Sequence, residues 1–393
     1  MEARQETEAE DAIFALHRGG KLRIESSVAV DSAAVLAQAY TPGVASVCRA
    51  IAREPLLAHT HSIKANTVAV VTDGTAVLGL GDIGPLAAEP VMSGKAMLFA
   101  EMAGVQAFPI CLDTRDPDEI VQTVKLIAPV FGGINLEDIS APRCFEIEER
   151  LDAELDIPVF HDDQHGTAIV VMAALINALE LTGRSFEDLR VVVSGIGAAG
   201  IACTKMMLEA GVTEIIGFDS AGPVHRGRHG LSGVKRWYST ATNPPRFAGT
   251  LRHALEGADL FLGLSRGGLL HREDLNVMAP DAIVMALANP EPEVRPEEAI
   301  GTPVRVFATG RSDLPNQVNN VLAFPGVFRG ALDAGATTVN RAMKIAAARA
   351  IAGCVSPEEL ESGQIVPHAL DRRVPSVVAA AVAEAAIRSG VVR

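Results

Sequence analysis

Two acidic doublets raise the question of what chemistry this chain can do. The stretch "NLEDISAP" carries Glu137 and Asp138, and "IPVFHDDQHGTA" carries Asp162 and Asp163 between two histidines. Adjacent carboxylates repel each other, and either water or a cation relieves that repulsion. A solvated turn, with an aspartate capping the helix that begins near Gly166, is the plain account of the second doublet. Each doublet nevertheless follows apolar residues and precedes a helix or turn signal, so both can stand at strand ends facing one cleft. Donors that are all oxygen suit Mg²⁺ or Mn²⁺, with positions left open for substrate oxygens. His161 and His165 are read as structural hydrogen-bonders rather than ligands.

Two further polar residues stand among small and apolar ones. In "PVMSGKAMLFAE", Lys95 lies at the mouth of an apolar helix, where desolvation is expected to push its pKa below about 10.4. A lysine in that state can act as a general base. In "YTPGVA", Tyr40 is one of only two tyrosines and sits beside a Pro-Gly turn.

The second half supplies a nucleotide site. "LRVVVSG" is a continuous apolar run, as expected of a strand buried on both faces. It leads into "GIGAAG", in which Gly195, Gly197 and Gly200 flank Ala198 and Ala199 at the opening of a helix. The first glycine makes the tight turn, the second lets backbone approach a pyrophosphate, and the third lets the helix pack closely on the sheet. An acidic residue is expected about 20 residues further on, at the end of the next strand, and Asp219 is there. Its carboxylate suits a ribose 2′-hydroxyl and repels a 2′-phosphate. Arg226, Arg228, Lys235 and Arg236 follow at a distance and read as a solvated basic loop. NAD is therefore the expected cofactor, with NADP possible.

These groups need elements to hold them. A chain of 393 residues is long for one core and comfortable for two domains. The segment "IKANTVAVVTDGTAVLGLGDIGP" reads as two short strands joined by an Asp73-Gly74 hairpin turn. Helical and strand patterns then alternate to the C-terminal helix, giving an α/β fold. The expected organisation is an N-terminal α/β substrate and metal domain at 12–155, then a Rossmann-like NAD(P)-binding domain at 163–393 with a largely parallel sheet. Residues 221–247, rich in Gly, Pro and basic groups, read as a long loop. The net charge of −14 argues against nucleic acid and acidic membrane surfaces as partners. Five scattered cysteines without a C-x-x-C pair fit reduced thiols in a cytoplasmic protein. The best candidate for a membrane span, "TAIVVMAALINALEL", reads as too short.

Taken in order and spacing, "YTPGVA", "TAVLGLGDIGP", "PVMSGKAMLF", "NLEDI", "FHDDQHGTA", "GIGAAG", "ALANP" and "TGRSDLPNQVNNVLAFPGVFRGALD" closely resemble the malic enzymes, specifically their small bacterial and archaeal class. The resemblance runs from about residue 12 to the C-terminal helix. It implies Tyr40 as general acid, Lys95 as general base, and Glu137, Asp138 and Asp163 as metal ligands, with Asp162 beside Lys95. It further implies that Asn289 contacts substrate and nicotinamide and that Asn320 contacts the substrate carboxylate. The implied reaction converts L-malate to pyruvate and CO₂ with reduction of NAD or NADP, in a homodimer or higher homo-oligomer. One departure stands out: larger members carry an arginine gripping malate where Thr75 and Ala76 stand here, which leaves that role unassigned. Two rival readings are a metal-independent amino- or keto-acid dehydrogenase and a nucleotide sensor without turnover. The first has no need of two carboxylate doublets, and the second no need of Lys95 with a complete acidic set.

Overall fold

Parallel strands buried on both faces form the two sheets that carry the site. The computed structural model describes residues 2–77, 79–231, 233–244 and 246–393, with backbone alone for residues 2–9; Leu78, within "TAVLGLGDIGP", lies outside the described residues. The first sheet has the order β2-β1-β3-β4, all parallel, with β1 at Thr67–Thr72, β2 at Gln106–Cys111, β3 at Gly133–Leu136 and β4 at Val159–His161. The second has the order β10-β9-β8-β5-β6-β7. Its strands are β5 at Arg190–Ser194, β6 at Glu214–Asp219, β7 at Gly222–Pro223, β8 at Leu260–Gly263, β9 at Ala282–Ala286 and β10 at Val304–Thr309. Only β7 runs antiparallel to its neighbour.

In each sheet the strand order reverses beside an early strand, next to β1 in the first and β5 in the second. Ligands of open α/β sheets bind outside the carboxyl ends of strands at such reversals. The residues that follow β3, Glu137 and Asp138, and those that follow β5, Gly195 to Gly197, occupy these positions.

Four short helices lead the chain: α1 (Glu2–His17), α2 (Ala33–Ala39), α3 (Val44–Arg53) and α4 (Ala58–His61). Among their described side chains none is buried. The next, α5 (Pro85–Ala103), starts on Pro85, which needs no N–H partner in the first turn, and stops at Gly104 in the left-handed region. Helices α6 (Pro117–Ile127) and α7 (Arg143–Glu154) cover the other face of the first sheet. Helix α8 (Asp162–Thr182) begins directly after β4, α9 (Ala198–Glu209) begins at the glycine-rich turn, and α10 (Gly233–Ala241) follows β7.

Three sequence expectations change here. No hairpin forms at Asp73-Gly74, because both edges of β1 are already paired with β2 and β3. The stretch read as a loop at 221–247 contains α10, anchored by the fully buried Tyr238, whose hydroxyl accepts a hydrogen bond from Thr204 at 3.3 Å. The apolar run after Gly166 belongs to a 21-residue helix, long and apolar enough to cross a membrane by those criteria. Most of it is buried inside the protein, and Asn177 donates to the carbonyls of Ala352 and Ile365 at 3.0 and 2.9 Å.

One apolar core joins both sheets. Val68 and Val70 of β1, Met92 and Phe99 of α5, the buried face of α8, and Val191 and Val193 of β5 belong to it. The C-terminal helices Phe324–Ala334, Arg341–Ala352 and Arg373–Ser389 complete it. Phe328 sits edge-on to Phe99 at 5.4 Å and to Phe160 at 5.8 Å between centroids, and is fully buried. Phe328→Ala is expected to destabilise the protein by about 3–5 kcal/mol. Trimming the exposed Leu86 to Ala should change stability by no more than about 0.5 kcal/mol. The shift in urea midpoint of each variant checks this.

Candidate active site

Lys95 extends from the middle of α5 into a buried position between two carboxylates. Its ammonium donates to Glu137 Oε2 at 2.5 Å and to Asp162 Oδ2, and lies 4.5 Å from the centroid of the Phe324 ring. Asn320 Nδ2 donates to the same Asp162 oxygen. Asp162 opens α8, and its carboxylate folds back over Gly166, where a Cβ would stand 1.9 Å from Oδ1. The glycine of "HDDQHG" is thus the space into which this aspartate fits.

The charges settle accordingly. Burial alone favours neutral Lys95, but the carboxylates of Asp162 and Glu137 outweigh it and hold the ammonium above its ordinary range. This reverses the expected lowering, because attraction at hydrogen-bond distance exceeds the cost of desolvation. Burial pushes Glu137 and Asp162 up to about 7 each, against the opposing pull of Lys95, and Asp163 up to about 6. Burial likewise takes His161 down to about 4, leaving it neutral beneath the carboxylates.

Carboxylate oxygens of Glu137, Asp138 and Asp163 all lie within 4.8 Å of one another. Glu137 also accepts from Asn135 Nδ2 at 3.0 Å. Asp138 has φ of 53°, a left-handed state that short polar side chains tolerate better than most. Its amide donates to Asp163 Oδ2 at 2.8 Å, which ties the two doublets together. The segment holding Thr75 and Ala76 braces this loop: Thr75 Oγ1 donates to Asp73 Oδ1 at 2.5 Å and accepts from the Ser140 amide at 3.0 Å. Arg143 pairs with Asp73 at 2.9 Å from the other side.

Glu148 on α7 is a support that sequence reasoning missed. It accepts from the His161 amide at 3.0 Å, from Gln164 Nε2 at 2.9 Å, and lies 2.9 Å from His165 Nε2. Burial pushes its carboxyl up, but His165 outweighs that and holds it down to about 2. Within "FEIEER" nothing marks Glu148 apart from its solvated neighbours. Glu293 is a second such residue, fully buried, accepting from the amides of Ser265 and Ala288 at 2.9 and 3.0 Å. It fixes the loops after β8 and β9.

The glycine-rich turn follows the expected geometry. Gly195 has φ of +105°, and a Cβ on it would stand 2.4 Å from the Leu264 carbonyl oxygen; one on Gly200 would stand 1.9 Å from the Gly195 oxygen. A Cβ on Gly197 would meet nothing within 4 Å, so that face is open. Asp219 ends β6 as expected, but two cations of the supposedly solvated loop close on it. Arg228 stands at 2.8 Å and Lys235 at 2.7 Å from its oxygens. Burial pushes Asp219 up, and these hydrogen bonds outweigh it to hold the carboxyl down to about 2.

A cleft of about 900 Å³ joins the two halves. Lys95, Glu137, Asp138 and Asp163 line it from the first, and Gly197, Ala198, Ala199, Asn289 and Asn320 from the second. Gly79 lets the loops meet, since a Cβ there would stand 2.3 Å from the Asn289 carbonyl oxygen. Tyr40 is not among the lining residues; it follows α2 and is 68% exposed.

Comparison with known proteins agrees across the chain. The malic enzyme N-terminal domain matches residues 20–152, and the malic enzyme NAD binding domain matches residues 164–387. The NAD-dependent malic enzyme of Geobacillus stearothermophilus is 58% identical over 98% of this chain and 80% of its own length. The bifunctional malic/malolactic enzyme of Bacillus subtilis is 54% identical over 95% of this chain and 92% of its own. The crystal structure of NAD-dependent malic enzyme from Thermotoga maritima superposes with a TM-score of 0.90 at 46% identity, covering 94% of this chain and 98% of that one. With matches spanning the lysine, the acidic loop and the nucleotide turn alike, the chain belongs to the malic enzyme family.

Proposed function

We propose that this protein oxidatively decarboxylates L-malate to pyruvate and CO₂, reducing NAD, and NADP as a second cofactor. The observation that carries the reading is one cleft holding Lys95, three clustered carboxylates and the open nucleotide turn. In this reading, residues 12–155 serve the substrate and 163–393 the nucleotide, and the protein works in the cytoplasm.

Glu137, Asp138 and Asp163 are the residues that would hold Mg²⁺ or Mn²⁺. Their fit rests on the donor set: oxygen alone, three carboxylates within 4.8 Å, with two of them driven upward in pKa by burial. Such a cluster carries negative charge that a hard dication relieves. When bound, the cation would supply Lewis-acid polarisation of the C2 oxygen and would offset the share of the Lys95 stabilisation that comes from Glu137 and Asp163, leaving Asp162 as its partner.

Lys95 takes the C2 hydroxyl proton as hydride passes from C2 to the nicotinamide. Asp162 and Asn320 hold the lysine in line, and Phe324 keeps water from its far side. Asn289 and Asn320 orient the substrate at the seam between the halves. Once C4 has left as CO₂ and its bonding pair has passed to C3 and C2, Tyr40 delivers a proton to C3 of the resulting enolpyruvate. Because Tyr40 lies outside its own chain's cleft lining, a second copy brings it there in a homodimer. Supporting that assembly, the leading helices expose Phe14 and Leu16 as well as Tyr40 itself.

Asp219 favours the 2′-hydroxyl of NAD, while Arg228 and Lys235 soften its repulsion of a 2′-phosphate.

Steady-state reduction of NAD with L-malate and Mn²⁺ tests the activity; EDTA should abolish it and added Mn²⁺ restore it. Lys95→Ala is expected to lower kcat by about 10²- to 10⁴-fold, with NAD affinity by equilibrium titration unchanged. The double variant Arg228→Ala/Lys235→Ala should raise KM for NADP by about tenfold or more, from lost charge-assisted hydrogen bonds. Its KM for NAD should barely move, which initial rates with each nucleotide will show.

A further inference from the structure

Among the described residues, neither Lys95 nor Arg143 is a free cation for a dicarboxylate. Lys95 is shared between Glu137 and Asp162. Arg143, the guanidinium beside the acidic loop, is committed to Asp73, Thr75 and Ser140 and is not on the cleft lining. Among the described lining residues, Lys21 is the only other lysine, and no arginine is present.

Lys21 is held by a short relay. With its proton on Nδ1, His17 donates to the Ile13 carbonyl at 2.9 Å, which leaves Nε2 to accept from Lys21 Nζ at 2.9 Å. The same ammonium donates to the Pro90 carbonyl at 2.8 Å. A Cβ built on Gly94 would stand 3.4 Å from Lys21 Nζ, so the charge rests on α5 beside the residue that precedes Lys95. An ammonium has three N–H bonds; two are spent on this tether, and one remains for the cleft.

We infer that Lys21 is the counter-ion of the C1 carboxylate of malate, the role that Thr75 and Ala76 leave open. This rests on the malate reading above. Of the two carboxylates, C1 is the one a fixed cation can serve. When the C3–C4 bond breaks, its electron pair moves to C3 and C2, and C4 departs as neutral CO₂. A cation on C4 would lose its partner in that step and oppose it. The C1 group keeps its charge from malate to pyruvate, so a cation there binds ground state and transition state alike.

The test compares wild type, Lys21→Met and Lys21→Arg, with Lys21→Gln as a second neutral variant should Lys21→Met fold poorly. In the neutral variant KM for L-malate is expected to rise about 10- to 100-fold with kcat held within about threefold, the signature of lost uniform binding. KM for pyruvate in the reverse reaction should rise by the same factor, since pyruvate retains only the C1 carboxylate. KM for NAD should stay unchanged, and Lys21→Arg should recover most of the loss. Unchanged KM for malate and pyruvate would overturn the assignment, and so would a rise for malate alone, which would put Lys21 on C4. A wild type inert toward malate would instead overturn the functional reading itself.

Discussion

A protonated lysine enclosed between two carboxylates, almost out of reach of water, is the constraint on which the rest of this site depends. Removing one partner from such a pair leaves a buried charge uncompensated, and that is strongly destabilising. The fold therefore surrounds the pair with supporting groups: Asn320 on Asp162, Asn135 on Glu137, the Phe324 ring over the ammonium, and the missing side chain of Gly166. These parts come from β3, α8, the segment before the C-terminal helices and the first of those helices, Phe324–Ala334. The lysine environment exists only when both halves of the chain are docked.

Docking in turn follows from where each sheet reverses its strand order. Either crevice taken alone would be an ordinary ligand site at strand ends. Here the two share one cleft, so the acidic loop after β3 and the glycine turn after β5 line the same space. Close approach is built in by glycine at Gly79 and by the two amides that Glu293 fixes across β8 and β9.

Much of this was legible in the sequence. The apolar run "LRVVVSG" located β5, and the spacing of Gly195, Gly197 and Gly200 located the glycine-rich turn that follows it. The doublets pointed to one cluster, although their distance along the chain gave no geometry. What was hidden depends on partners far away in sequence. The Asp73-Gly74 turn signal is local, whereas the pairing of β1 on both edges is not. The sign of the Lys95 shift turns on Glu137 and Asp162, which only the folded chain brings to it. Arg228 and Lys235 gave a basic composition that looks the same solvated or closed on Asp219. Glu148 carries the whole "HDDQH" segment, yet it is one glutamate among several on its helix.

The shared apolar core has a consequence for how such a chain can be inherited. Because α8 and the helices after Phe324 press against β1, α5 and β4, the boundary between the functional halves is no boundary for solvent exclusion. A fragment ending near residue 155 would leave Val68, Val70, Met92 and Phe99 facing water. Gene shuffling at that seam would exchange half a core along with the site. The two halves must evolve as one cooperative unit.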